Sequence, residues 1–436
     1  MRIAMVGTRG VPARYGGFET CVEEVGARLV QRGHEVVVYC RGVSGEKPAE
    51  HRGMTLVHLP AVRTRSMETL SHSALSVGHL MRHGADAVLL FNAANAPLLP
   101  ALRARGLRVA THVDGLEWQR AKWAGAGRTY YRRAESMAVR WSDHLIADAQ
   151  GISDYYEREF GVPTTLITYG APVLEQQTGR LSELALTAGG YHLIVARMEP
   201  ENHVDVVVDG YVRSAARLPL VLVGSAPYAG EYTQRVHDLA DDRVRLLGSL
   251  WDQALLDQLY AGALTYLHGH SVGGTNPSLL RAVGAGTATD AYDVDFNREV
   301  LGDTGRYWRT AEDVRALVES TEQSPEGALA RGRRTQTRAA AYDWDDVATG
   351  YEDLCARLAA GDVPDRRPSG YRSTPAEPVM HEVVPGEPVV PEVVGVPGTS
   401  VTAPADAPVT VGPWVGEADA VPAVPAVCDP SAQGVR

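Results

Sequence analysis

The order of apolar and polar positions divides the chain into three parts. Through residue 170, short apolar runs alternate with segments whose apolar residues recur at helical spacing. Ile3–Val6, Glu35–Cys40, Ala87–Phe91, Val109–His112 and Leu145–Ala147 read as buried strands. Phe18–Arg32 reads as a helix that stops at Gly33. After Pro172 the alternation restarts. His192–Ala196, Leu218–Val223, Val244–Leu246 and Leu264–His268 read as strands, and Asp205–Ala216 as a helix. Arg334–Leu358 reads as a closing helix with aromatics at Tyr342, Trp344 and Tyr351. Strands alternating with helices imply parallel, doubly wound sheets. The expectation is an α/β protein with two Rossmann-like domains, residues 1–170 and 171–360, facing each other across a cleft. Pro163–Pro172 is the expected hinge. From residue 361 the periodicity is lost. That stretch holds 14 of the 26 prolines, in phrases such as Val383-Val384-Pro385-Gly386-Glu387-Pro388. Proline at this density prevents helices and central strands. Residues 361–436 are expected to form a disordered, acidic Pro/Val/Ala/Glu-rich tail.

Length agrees with this division, because 436 residues fit two domains of roughly 150–200 residues plus extras. The net charge of −11 argues against general nucleic-acid binding. It is unevenly spread: +5 over residues 1–170, −10 over 171–360 and −6 over 361–436. One basic and one acidic half suggest different partners. Arg128, Arg132, Arg133 and Arg140 gather in the helical stretch 128–140, which reads as a peripheral contact with an anionic membrane. Met1–Gly7 has too short an apolar run for a signal peptide, and no window of about 18 residues is apolar without a break. Cys21, Cys40, Cys355 and Cys428 form no CxxC pair. A soluble, cytoplasmic protein is expected, with no zinc site or disulfide framework.

Four segments carry candidate chemistry, each at a strand end. Gly7–Glu19 follows a strand and opens a helix, so its glycines let backbone approach a ligand and its helix start offers N–H groups to an anion. The spacing is not GxGxxG, which disfavours a nicotinamide enzyme. Thr111–Trp118 brings His112 and Asp114 to a strand end, where they can bind sugar hydroxyls or transfer protons. Val195–His203 places Arg197 where a guanidinium can grip phosphate with two hydrogen bonds. His268–Arg281 is a small-residue loop, including Gly273, Gly274, Thr275, Asn276, Pro277 and Ser278, that enters a helix near Pro277 and again faces an anion. His268 and His270 have a spacing that metal ligands use, but no third ligand is evident, and Asp293-Val294-Asp295 is a triplet common in acidic chains. No metal and no cofactor are expected.

Gly7–Glu19, Gly33-His34-Glu35-Val36 and Val113–Trp123 resemble a bacterial, rhamnosyltransferase-like subfamily of the retaining glycosyltransferases of family 4. Arg197–Asn202 and Gly273–Gly286 resemble the donor half of that family. The resemblance covers residues 1–358. It implies the GT-B fold, with the acceptor on the N-terminal domain, a nucleotide-sugar donor on the C-terminal domain, and no metal. It implies that Gly16 and Gly17 approach the donor phosphate, that His112 sits by the transferred sugar, and that Arg197 binds phosphate. The chain departs from the wider family at three positions. Asn202 stands where the family has lysine, and Gly273 and Arg281 where it has two glutamates that read sugar and ribose. A guanidinium only donates hydrogen bonds and cannot copy the ribose contact.

The function expected on these grounds is metal-independent transfer of a hexose or deoxyhexose from a nucleotide sugar to a saccharide or lipid-linked saccharide, with retention, in cell-surface polysaccharide synthesis. His112, Asp114 and Arg197 are the expected catalytic residues. Gly16, Gly17, Arg197, Asn202, Gly273, Gly274, Thr275, Asn276, Pro277, Ser278 and Arg281 are the expected donor-binding residues. Asn202 and Arg281 also suit a second reading, a degenerate relative that binds without turnover. A third reading, a GT-B-fold sugar-nucleotide epimerase, fits the long N-terminal motif less well.

Overall fold

The computed structural model describes residues 1–13, 16–42, 47–62, 68–113, 115–120, 125–224 and 230–362. Asp114 and the expected tail from residue 363 onward lie outside the described residues.

Two sheets organise the chain. The first contains β1 (Arg2–Val6), β2 (Glu35–Arg41), β3 (Glu50–His51), β4 (Met54–Leu59), β5 (Ala87–Phe91), β6 (Val109–His112), β7 (His144–Ala147) and β8 (Thr165–Leu166), in the spatial order β3-β4-β2-β1-β5-β6-β7-β8. Every pairing is parallel except β3 with β4. The second contains β9 (His192–Val195), β10 (Leu220–Val223), β11 (Val244–Gly248), β12 (Thr265–His268), β13 (Thr289–Tyr292) and β14 (Arg306–Trp308), all parallel, in the order β11-β10-β9-β12-β13-β14. Central strands are buried on both faces, which explains their unbroken apolar runs: Ile3 to Val6 and Leu220 to Val223 are all buried.

The alternating pattern predicts most strands within a residue or two and misses five, β3, β4, β8, β13 and β14. β3 and β4 border the first sheet, and in β4 only Met54 and Leu56 are buried. β13 is interrupted by Asp290, which is fully buried. Its carboxylate takes two hydrogen bonds from Arg306 of β14, at 2.8 and 2.6 Å, and a third from Arg331 at 3.3 Å. Because charge is satisfied by charge here, strand and partner both lack a hydrophobic signature.

The closing helix expected over Arg334–Leu358 is three pieces. A helix spans Pro325–Thr337, a 3-10 turn spans Arg338–Tyr342, and a second helix spans Trp344–Ala360. Asp343 makes the break, because its side chain caps the last helix by accepting from Asp345 N at 2.6 Å. At this break the chain crosses between the lobes. Ala171 N donates to Tyr342 O at 2.7 Å, so the outgoing crossing near Gly170 and the returning one at Tyr342 lie side by side. The segment expected as a hinge thus lies beside a second crossing.

The returning helix Trp344–Ala360 packs on the helix Gly17–Gln31 of the first lobe. Val347, Ala348, Tyr351, Leu354, Cys355 and Leu358 are buried. Arg28 pairs with Asp345 at 2.8 Å, and Glu352 accepts from Arg32 at 2.8 Å and from His34 at 2.7 Å. Such part-exposed pairs are worth about 0–1 kcal/mol each, whereas burying one large apolar side chain is worth about 1.5–3 kcal/mol. The apolar face therefore holds the strap, and the charges set its register.

Candidate active site at the lobe seam

In an open parallel sheet, ligands bind beyond the carboxyl ends of the strands where the strand order reverses. The first sheet reverses between β1 and β5, and the second between β9 and β12. The Gly7–Gly17 loop follows β1. Arg197 follows β9, and the loop 269–276 follows β12. Topology thus brings three of the four sequence motifs to the two crevices, and His112, at the end of β6 beside β5, joins them.

The crevices face each other. The helix Gly17–Gln31 starts against the helix Pro277–Gly284: a Cβ on Gly17 would lie 3.0 Å from the Pro277 ring. A Cβ on Gly115 would fall 1.9 Å from the Cα of Gly273, and one on Gly274 would fall 1.8 Å from an Asp148 carboxylate oxygen. Only glycine permits these approaches. Thr275 Oγ1 donates to Asp148 O at 2.6 Å and fastens the seam. Asn276 caps the Pro277–Gly284 helix, its side chain accepting from Ser278 N at 2.8 Å. The Ser278 hydroxyl lies 2.5 Å from Tyr260, 2.9 Å from Tyr266 and 3.0 Å from Val195 O, so it is engaged within its own lobe.

His112 is buried in an aromatic cage, its ring centroid 5.0 Å from Phe18, 5.8 Å from Phe91 and 6.0 Å from Tyr169. Burial lowers its pKa to about 3, so the imidazole is neutral near pH 7. A neutral imidazole suits hydrogen bonding with sugar hydroxyls rather than pairing with an anion. Its expected companion Asp114 lies outside the described residues.

On the opposite wall Asn202 is buried, and its amide is spent. Nδ2 donates to Arg197 O at 2.8 Å, which turns Oδ1 toward His270 Nδ1 at 2.7 Å. His270 therefore carries its proton on Nδ1 and presents Nε2 as an acceptor. Burial pushes the His270 pKa well below its ordinary value, and the nearby charges of Arg120 and Arg197 push in the same direction. Asn202 thus braces Arg197 and fixes the tautomer of His270. Arg197 is half-buried and has no carboxylate partner among the described residues.

Arg281 points elsewhere. It pairs with Asp257 of the helix Gln253–Gly262, and both side chains are about three-quarters buried. Asp293 is also occupied, accepting from Arg298 and Arg309. His268 and His270 have ring centroids 6.4 Å apart. The basic stretch 128–140 is mixed: Arg133 and Arg140 are exposed, whereas Arg132 lies over the Trp118 ring at 5.3 Å.

Asp148, Arg120 and Glu201 also line the seam without being expected there. Asp148 follows β7 just as Arg197 follows β9, so a strand-end rule finds it. Arg120 and Glu201 carry no such signal.

Residues 15–170 match the family model described as Glycosyltransferase Family 4. This lobe is thus similar to glycosyltransferase family 4. Over 121 residues the chain is 31% identical to the UDP-N-acetylglucosamine–peptide N-acetylglucosaminyltransferase GtfA subunit of Streptococcus gordonii, a match covering 27% of this chain and 23% of that protein. The match thus spans under a quarter of that relative's length. The two lobes together form the GT-B fold. Sucrose-phosphate synthase from Thermosynechococcus elongatus aligns with a TM-score of 0.70 at 19% identity, covering 83% of this chain and 99% of that one. HepE from Anabaena in complex with UDP-glucose aligns with a TM-score of 0.66 at 14% identity, covering 82% and 100%. Among the described residues, no helix is long and apolar enough to cross a membrane.

Proposed function

We propose that this protein transfers a hexose or deoxyhexose from a nucleotide sugar to a saccharide or lipid-linked saccharide, with retention and without a metal. The observation that carries the reading is the gathering, at one seam, of Arg197, which has no carboxylate partner among the described residues, the capped start of the Pro277–Gly284 helix and the neutral His112. A guanidinium and a helix start suit a diphosphate, and a buried neutral imidazole suits hydroxyls. Relatives of the same fold whose names include UDP and UDP-glucose support the donor class.

The reaction breaks the bond from the sugar's C1 to the diphosphate oxygen and forms one from C1 to the acceptor oxygen on the same face. The acceptor's hydroxyl proton passes to the departing phosphate oxygen. The protein contributes placement and charge stabilisation of the leaving diphosphate. Arg197 and the helix start carry the charge term, and His112 orients the sugar. Gly16 and Gly17 bring backbone N–H groups from the facing lobe, Gly273 and Gly274 keep the loop close to the seam, and Thr275 holds it there. Residues 1–170 take the acceptor and 171–360 the donor.

Titration with UDP-, GDP- and dTDP-sugars, followed by transfer to lipid-linked oligosaccharide, tests this. One donor is expected to bind and turn over, and Arg197→Ala to lower kcat/KM by about 10²–10³, the usual loss of one oxyanion-type contact, with unchanged melting. Absence of donor binding refutes the reading. Binding without turnover on any acceptor supports the alternative, a binding protein; Arg281, tied to Asp257 where the family has a glutamate, favours that reading together with Asn202.

A further inference from the structure

One charged pair spans the seam without an optimised bond. Arg120, on the first lobe's loop after β6, approaches Glu201, just beyond β9 in the second. Arg120 Nη1 lies 3.5 Å from Glu201 Oε1, and the two side chains are 10% and 1% exposed. Neither Glu201 oxygen accepts a hydrogen bond among the described residues. The Glu201 backbone is tied down by Ser271, whose N and Oγ both donate to its carbonyl, at 2.9 and 3.1 Å. Arg120 is also held by Glu117 of its own lobe, at 2.7 Å.

A buried carboxylate is stabilised by short, well-directed hydrogen bonds, and without them its desolvation is poorly offset. Glu201 has a nearby cation and no such bonds, so it holds Arg120 loosely. Arg120 and Arg197 both bear on His270, whose Nε2 is the nearest atom to Gly273 at the mouth of the loop, 3.2 Å from where a Cβ would stand. The two arginines, one from each lobe, therefore both add positive potential at His270. Arg197 alone leaves a diphosphate under-compensated, and Arg120 offers a second cation from the other lobe.

We propose that Arg120 is a donor-binding cation supplied by the N-terminal lobe: Glu201 holds it until the donor's diphosphate takes its place. This rests on the nucleotide-sugar reading of the site. The exchange couples donor binding to the placement of the lobes, because the arginine is on one wall and the anion rests on the other. Once released, the Glu201 carboxylate, with both oxygens unspent, can accept hydroxyl hydrogens from the transferred sugar.

The test is a double-mutant cycle read by calorimetric titration with UDP, GDP and dTDP, using whichever binds wild-type protein most tightly. Arg120→Ala is expected to weaken binding at least tenfold, and Arg120→Lys less. Glu201→Gln, which removes the competing anion, is expected to tighten it at least threefold. In the Arg120→Ala background the Glu201→Gln gain is expected to vanish, because nothing remains to be released. If Arg120→Ala does not fold, Glu201→Gln alone decides the question, and unchanged or weaker binding overturns the proposal. A gain that survives in the double variant also overturns it, by showing plain charge repulsion, while leaving the donor reading intact. If wild-type protein binds none of the three nucleotides, the donor reading fails and this proposal with it.

Discussion

Reversing the charge at Arg281 separates two roles that its sequence position leaves entangled. The guanidinium pairs with Asp257, and the two side chains are 21% and 28% exposed. Arg281→Glu removes an attraction worth about 0.5–1 kcal/mol for a pair this exposed. It also sets two carboxylates about 5 Å apart, which costs about 1–3 kcal/mol for an effective dielectric between water and a protein surface. With screening by the exposed quarter, a net loss of about 2 kcal/mol is expected. For a lobe of this size that lowers the first melting transition by about 4–8 °C. Asp257→Arg should destabilise similarly, with two cations in contact. The double variant Arg281→Glu/Asp257→Arg re-forms the pair in reverse and should regain most of the loss, a coupling of the size that contacting residues show. Differential scanning calorimetry of the four proteins measures this, and nucleotide titration of the swapped variant completes it. The swap should bind nucleotide as wild type does, since the Arg281 charge is consumed by its neighbour. Additive melting losses with no recovery would refute the pairing. Intact melting with at least tenfold weaker binding would make Arg281 a donor cation after all.

Two further perturbations follow from burial and contact. Burial lowers the pKa of His112 and of His268 to about 3, from about 6.5 in the unfolded chain, so the unfolded state takes up protons that the folded state refuses. Stability is therefore expected to fall as pH drops below 6.5, by up to about 1.4 kcal/mol per pH unit for each histidine until pH nears 3; His112→Asn should flatten denaturant midpoints measured between pH 6.5 and 4.5, and an unchanged slope would contradict neutral burial. Gly115→Ala places a methyl group against the Gly273 backbone, so it should hold the lobes apart; small-angle scattering should show a larger radius of gyration than wild type, with each lobe's circular dichroism preserved, and identical dimensions would count against so close a seam.

How much of this was legible in the sequence depends on whether a feature is local. Arg197 and the loop through Ser278 are visible because each directly follows an apolar run, and a strand end is a local signal. The same signal marks Asp148 after Leu145–Ala147, but without neighbouring glycines it does not stand out. Strand order is not local. Nothing in residue periodicity says that β9 lies beside β12, so the meeting of Asn202 with His270, 68 positions apart, could not be read from it. Arg281 shows the same limit from the other side. Its place on the helix after the loop suggests a phosphate ligand, yet Asp257, 24 residues earlier, claims it through the packing of two helices. β13 is hidden for an energetic reason: its central Asp290 is buried with its cations, and hydropathy counts only the charge.

The returning helix has a consequence for how the chain is made. Arg28 and Asp345 are 317 positions apart, yet they join the first lobe's opening helix to its strap. Synthesis at about 5–20 residues per second separates the appearance of the two by about 15–60 s. Throughout that interval the newborn first lobe has its sheet but not the helix whose buried face, with Val347, Tyr351 and Leu354, packs on Gly17–Gln31. The order of emergence is thus the reverse of the order of need, since the earliest part waits for the latest. A nascent chain of this design presents a sticky face to chaperones for most of its time on the ribosome. A ribosome stalled before residue 344 should hold a lobe that binds such a chaperone, and one stalled far enough past residue 360 for the strap to clear the exit tunnel should not.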